Sequence, residues 1–87
     1  MGSKEFIDDC KEKVRSYAMG HLDKSDETPT FEVFVVWYSK TLQNHKALLS
    51  TSLPDGMYYE LTYNGDKKKL YFDAYIKFEN KCIKMED

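Results

Sequence analysis

LPDGMYYELTYNGDKKKLYF, Leu53 to Phe72, decides the fold, because two turn signals bracket one run of alternating residues. In Pro54-Asp55-Gly56 the proline presets the first turn angle, Asp55 tolerates the second, and Gly56 supplies the positive φ that ends a three-residue hairpin with a bulge. Counting outward from that turn, Leu53 faces Met57, Thr51 faces Tyr59, Leu49 faces Leu61 and Ala47 faces Tyr63. One face of the hairpin is then apolar, as a buried face requires. Asn64-Gly65 is the strongest short-range hairpin signal in the chain, since both residues accept the positive φ of a type I′ turn. A two-residue loop there pairs Glu60 with Lys69 and Tyr58 with Tyr71 on one face, and Tyr59 with Leu70 and Met57 with Phe72 on the other.

Upstream, FEVFVVWY, Phe31 to Tyr38, is dense in β-branched and aromatic residues and reads as the first strand. Gln43-Asn44-His45 is a polar break, and Ala47 to Leu53 is the second strand. The N-terminal segment behaves differently. Phe6, Cys10, Val14, Tyr17 and His21 recur in steps of three and four, with Ile7, Ala18 and Leu22 widening the stripe, which marks an amphipathic helix over residues 3–22. Ser3 is a credible N-cap, and Asp9 with Lys13 makes an i,i+4 pair on the wet side. DKSDETPT, residues 23–30, is the polar linker from helix to sheet. After Asp73 two readings compete: Ala74, Ile76 and Phe78 alternate like a strand, whereas Asp73 can cap a short helix carrying Tyr75, Phe78 and Cys82. The helix is favoured.

The expected architecture is α+β and a single domain of residues 1–87: an N-terminal helix on a four-stranded antiparallel meander spanning residues 31–73, with a C-terminal segment, 74–87, that includes a short helix. One helix of this length covers only part of such a sheet, so the C-terminal segment or a second subunit is expected to cover the rest.

Composition narrows the chemistry. At 87 residues the chain is of a size that buries only about 60% of its unfolded surface, leaving little apolar material for a deep substrate cavity. Aromatic residues stand out at 15%, with seven tyrosines. The net charge of −2 and pI near 5.7 argue against a generic grip on phosphate backbones. No run suits a membrane span or a secretory signal core, so an intracellular protein is expected. Met1-Gly2-Ser3 begins like a myristoylation signal, but Phe6 occupies the position that needs Ser or Thr. Cys10 and Cys82 have no CxxC spacing and sit in apolar patterns, which suggests buried free thiols.

Candidate catalytic motifs fare poorly. Pro54-Asp55 followed by Asp66-Lys67-Lys68 matches the string of metal-dependent nucleases. Its two carboxylates, however, lie in turns at opposite ends of one strand, about 30 Å apart at ~3.3 Å per residue. His45 has Ser39, Ser50 and Ser52 nearby in sequence but no strained elbow such as GxSxG, and it reads as a polar loop histidine. His21 falls at the helix end, where the dipole favours an imidazolium. Two histidines without paired cysteines make no ordinary zinc site, and no glycine-rich phosphate loop is present. Catalytic residues, metal and cofactor are therefore expected to be absent.

Binding candidates are more interesting. Tyr58, Thr62, Lys67, Lys69 and Tyr71 share the outer face of the last hairpin, and base stacking beside a basic groove is how sheet proteins hold single strands. Glu60 and Asp73 lie on the same face. A solvated surface is the plainest reading, a protein contact ranks next, and single-stranded nucleic acid follows. Trp37 reads as core, although a strand with two apolar faces can also be an edge awaiting a partner.

VVWYSKTLQNHKALLSTSLPDGMYYELTYNGDKKKLYFDAY, with KEFIDDCKEKV before it and ENKCI after it, resembles a small family of uncharacterised proteins encoded by phages and prophages of Gram-positive bacteria. The strings WYSKTLQNHKALLSTS and DGMYYELTYNGD carry the likeness, which covers nearly the whole chain. It implies no catalytic residues. It does imply a context, a phage accessory protein in a bacterial cytoplasm that binds and blocks a host protein or defence component, or modulates phage DNA metabolism. The leading expectation is thus a non-enzymatic protein that binds a host or phage protein, with a homodimer allowed. A single-strand nucleic-acid binder using Tyr58, Lys69 and Tyr71 is the alternative, and a small enzyme is third.

Overall fold

The computed structural model describes residues 2–21, 30–76 and 81–85. One helix, α1 (Ser3–Gly20), precedes four strands, β1 (Val33–Thr41), β2 (Asn44–Thr51), β3 (Met57–Asn64) and β4 (Lys69–Ile76). The strands form one antiparallel sheet in the order β1-β2-β3-β4. The α+β reading and the meander therefore hold.

The helical stripe read from the sequence is the stripe that docks. Phe6, Cys10, Val14 and Ala18, spaced by four, are buried against Val33, Ala47, Leu49, Tyr59 and Leu61 of the sheet. Fully burying a Leu- or Phe-sized side chain is worth roughly 1.5–3 kcal/mol. Tyr17 reaches farther across the sheet, with its ring centroid 5.7 Å from Tyr59 and 5.2 Å from Phe72. The Asp9–Lys13 pair forms at 3.4 Å on the exposed side. Gly2, not Ser3, is the N-cap, and no side chain caps the helix. The Ser3 hydroxyl instead lies 3.0 Å from the Tyr38 phenol.

Both hairpin registers differ from those counted outward from the turns. Leu49 opposes Tyr59 and Ala47 opposes Leu61, a displacement of two residues. The Pro54-Asp55-Gly56 turn is part of a longer loop over residues 52–56, at whose start Ser52, just after β2, donates its backbone N–H to the Glu32 carbonyl at 3.0 Å. Asp55 Oδ1 accepts the Met57 N–H at 3.0 Å, and Gly56 takes the expected positive φ of 67°. In the next hairpin the loop runs over residues 65–68, so Glu60 opposes Asp73 and Tyr58 opposes Tyr75, a displacement of four. Asn64 acts through its side chain, whose Oδ1 accepts the N–H groups of Asp66 and Lys67 at 3.1 Å each, and the positive φ falls on Lys68 at 54°. Even displacements preserve faces, which is why the core survives both errors.

Three other expectations change. The first turn is Leu42–Gln43, so Asn44 and His45 belong to β2 and His45 is buried. A bulge at Val36 inserts an extra residue into β1, reversing its alternation so that Tyr38 points to the core and Trp37 away from it. Ala74, Tyr75 and Ile76 continue β4 rather than starting a helix after Asp73. Residues 81–85 have no regular structure and are exposed, Cys82 included, against its expected burial. The expected linker lies almost wholly outside the described residues, as do residues 77–80.

Candidate functional site

The sheet face opposite α1 carries the candidate site. Cross-strand partners arrange it in three rows. Phe34, Ser50, Tyr58 and Tyr75 make the first, Trp37, Leu48, Glu60 and Asp73 the second, and Ser39, Lys46, Thr62 and Tyr71 the third. The Ser50 hydroxyl in the first row donates to the Met57 carbonyl at 2.8 Å. Exposure is unusual for rings of this size: Phe34 is 46% exposed, Trp37 40%, Tyr71 49% and Tyr75 48%. Such side chains exposed together on one face mark a surface suited to contact.

Of the residues singled out from sequence, Tyr58, Lys69 and Tyr71 do lie on this face. They do not form the expected cluster, because the true register places the row of Trp37 and Asp73 between Tyr58 and Tyr71. Lys67 stands in the loop after β3. Trp37, expected in the core, is central to the face instead. Sequence reasoning missed Phe34 and Tyr75. Phe34 was on the correct alternation of β1 all along, while Tyr75 was lost to the helix reading of the C-terminal segment.

The charges are mixed. Lys46 bonds Glu60 diagonally across β2 and β3 at 3.4 Å. Asp73 stands directly opposite Glu60, an unfavourable like-charge pair. Among the described residues no cation lies within ion-pair range of Asp73. A shallow hollow of about 360 Å³ opens beside Trp37, bordered by Asn44, Lys46 and Thr62.

Elsewhere the polar groups are structural. The Tyr38 phenol lies 2.6 Å from His45 Nδ1 and 3.0 Å from Ser3 Oγ, so a serine, a tyrosine and a histidine form one chain. Tyr38 stands between the other two, and the imidazole is stacked on Phe6 with ring centroids 4.9 Å apart. This is a clamp between helix and sheet, and the serine is not bonded to the imidazole. His21 ends α1, with Nδ1 2.9 Å from the Tyr17 carbonyl. Burial, with a smaller contribution from Asp9, pushes the Cys10 thiol up to about 12, which leaves it protonated and unreactive. Asp55 and Asp66 lie in the loops at opposite ends of β3, as read from the sequence, so the nuclease string does not bring its carboxylates together. Among the described residues no group of three metal-ligating side chains converges, and no helix is long and apolar enough to cross a membrane.

No curated protein and no solved structure matches the chain. Residues 7–85, almost the whole chain, match the family of unknown function DUF6275, and the chain belongs to that family.

Proposed function

We propose that this is a non-enzymatic accessory protein of a Gram-positive phage or prophage that binds and modulates or inhibits a host or phage protein in the bacterial cytoplasm, a defence component being one such target. The observation that carries the reading is the open sheet face, where Phe34, Trp37, Tyr71 and Tyr75 are each exposed by two fifths or more. Aromatic anchors of this kind dominate protein interface energies. The phage context rests on the sequence resemblance, with WYSKTLQNHKALLSTS and DGMYYELTYNGD as its most distinctive strings.

Single-stranded nucleic acid is the second reading, favoured by tyrosine rings on a sheet beside Lys46 and Lys69. Glu60 and Asp73 in the central row, and the net charge of −2, weigh against it. Affinity capture from a Gram-positive host lysate, with and without nuclease, separates the two. Trp37→Ala combined with Tyr58→Ala is expected to abolish a nuclease-resistant capture while leaving the fold intact. Capture that disappears with nuclease, together with oligonucleotide binding that weakens steeply with salt, favours the second reading instead.

A further inference from the structure

The two edges of the sheet are not equivalent. β1 is blunted by the bulge at Val36, which breaks its regular outline. β4 has no such device. Its sequence, KLYFDAYI, contains neither proline nor glycine, and it pairs with β3 without irregularity from Lys69 to Ile76. Among the described residues no strand pairs with its outer side, which therefore offers an unbroken row of backbone donors and acceptors, the template on which another strand adds.

We propose that the occupant of this edge is a second copy of the chain, joined through two antiparallel β4 strands centred on Tyr71 so that the two sheets become one. The registers open to such a pair are few. An antiparallel two-fold contact keeps each residue's face, so only alignments that set like faces together are allowed. Centring on Tyr71 sets Lys69 against Asp73 of the second copy twice, Leu70 against Phe72 twice, and the two Tyr71 rings against each other. Opposite charges thus meet on the open face and apolar side chains meet on the helix side, where Leu70 and Phe72 are only partly buried. Centring on Phe72 instead puts Asp73 against Tyr71, and centring on Asp73 puts the two carboxylates together. Only the first alignment supplies Asp73 with the cation it lacks among the described residues, while Glu60 already has Lys46. The assembled sheet presents two copies of the aromatic face side by side. The inference concerns the strand edge and stands apart from what the face binds.

Sedimentation or light scattering over a wide concentration range tests it, with three variants. The native chain is expected to dimerise. Asp73→Lys and, separately, Lys69→Asp are each expected to weaken the dimer by at least about tenfold, since every cross-strand ion pair becomes a repulsion. Asp73→Lys also relieves the opposition to Glu60, so at a concentration low enough to keep both chains monomeric its thermal midpoint is expected not to fall below that of the native chain, and loss of dimer cannot then be assigned to unfolding. Combining Lys69→Asp with Asp73→Lys is expected to restore the dimer. A native chain that stays monomeric at every concentration overturns the proposal, as does a dimer indifferent to the single reversals or one that the double reversal does not rescue.

Discussion

The phenol of Tyr38 and the imidazole of His45 meet at 2.6 Å beneath the first turn of α1, binding β1 to β2 where the helix lands. His45 is 2% exposed, so no bulk water compensates if the phenol is lost. Tyr38→Phe keeps the ring and removes only the hydroxyl. It is expected to cost about 1–3 kcal/mol, the penalty for a buried polar group without a partner. Ser3→Ala, at the exposed end of the same chain, is expected to cost less than about 0.5 kcal/mol. Chemical denaturation of the two variants checks the ordering, and equal effects would remove the clamp from the account of stability.

Gly65 packs where no side chain fits. A Cβ there would collide with the carbonyl oxygen and Cβ of Gln43, in the turn between β1 and β2, and the Gly65 N–H already donates to Asn44 Oδ1 at 3.0 Å. Its φ is not positive, so the constraint is close approach rather than backbone handedness. Gly65→Ala is expected to destabilise by about 1–3 kcal/mol, as overpacking does, and Gly65→Val by more. Unchanged thermal midpoints for both would show that the two turns can separate freely.

These two positions show where the sequence was legible and where it was not. Period-four spacing of Phe6, Cys10, Val14 and Ala18 and period-two spacing of Ala47, Leu49, Tyr59 and Leu61 identified the core, because burial depends on the face alone. Register depends on loop length, and loop length was set by side-chain contacts across the fold. The hydrogen bonds tying Ser52 to Glu32 and Asn44 to Gly65 link residues about twenty positions apart, which a reading of local turn types does not see. The bulge at Val36 was equally hidden, and it turned Trp37 from core to surface. The candidate face was therefore found, but its central residue was placed on the wrong side.

Leu42 takes a φ of 56° in the two-residue turn before β2 and is 83% exposed, so it suffers left-handed strain without burying its side chain. A glycine removes the Cβ that causes the strain, worth roughly 1–2 kcal/mol, less the entropy it adds to the unfolded chain. Leu42→Gly is expected to be neutral to stabilising by up to about 1 kcal/mol. A clear loss in thermal unfolding would mean that the leucine makes a contact the exposure denies.

The two cysteines should separate by chemistry and by pH. Cys82 is exposed and Cys10 buried, so a thiol reagent is expected to label one site promptly in the native protein and the second only on unfolding. The Cys10 pKa rises from its ordinary 9.0 to about 12, chiefly through burial. Below the ordinary value the thiol is protonated both folded and unfolded, so its contribution to stability is fully present. Above it the unfolded chain releases a proton that the native state retains, so stability falls as the pH rises toward the folded value. Tyr59, whose phenol is pushed up first by burial and then by Asp55 and Tyr17, acts in the same direction. Cys10→Ala removes only the thiol's share of this slope. The stability advantage of the native chain over Cys10→Ala is therefore expected to shrink between about pH 8.5 and 11, with the Tyr59 share of the slope remaining in both. Denaturation midpoints across that range decide it, and a gap that stays constant would mean that the thiol is not held protonated by the core.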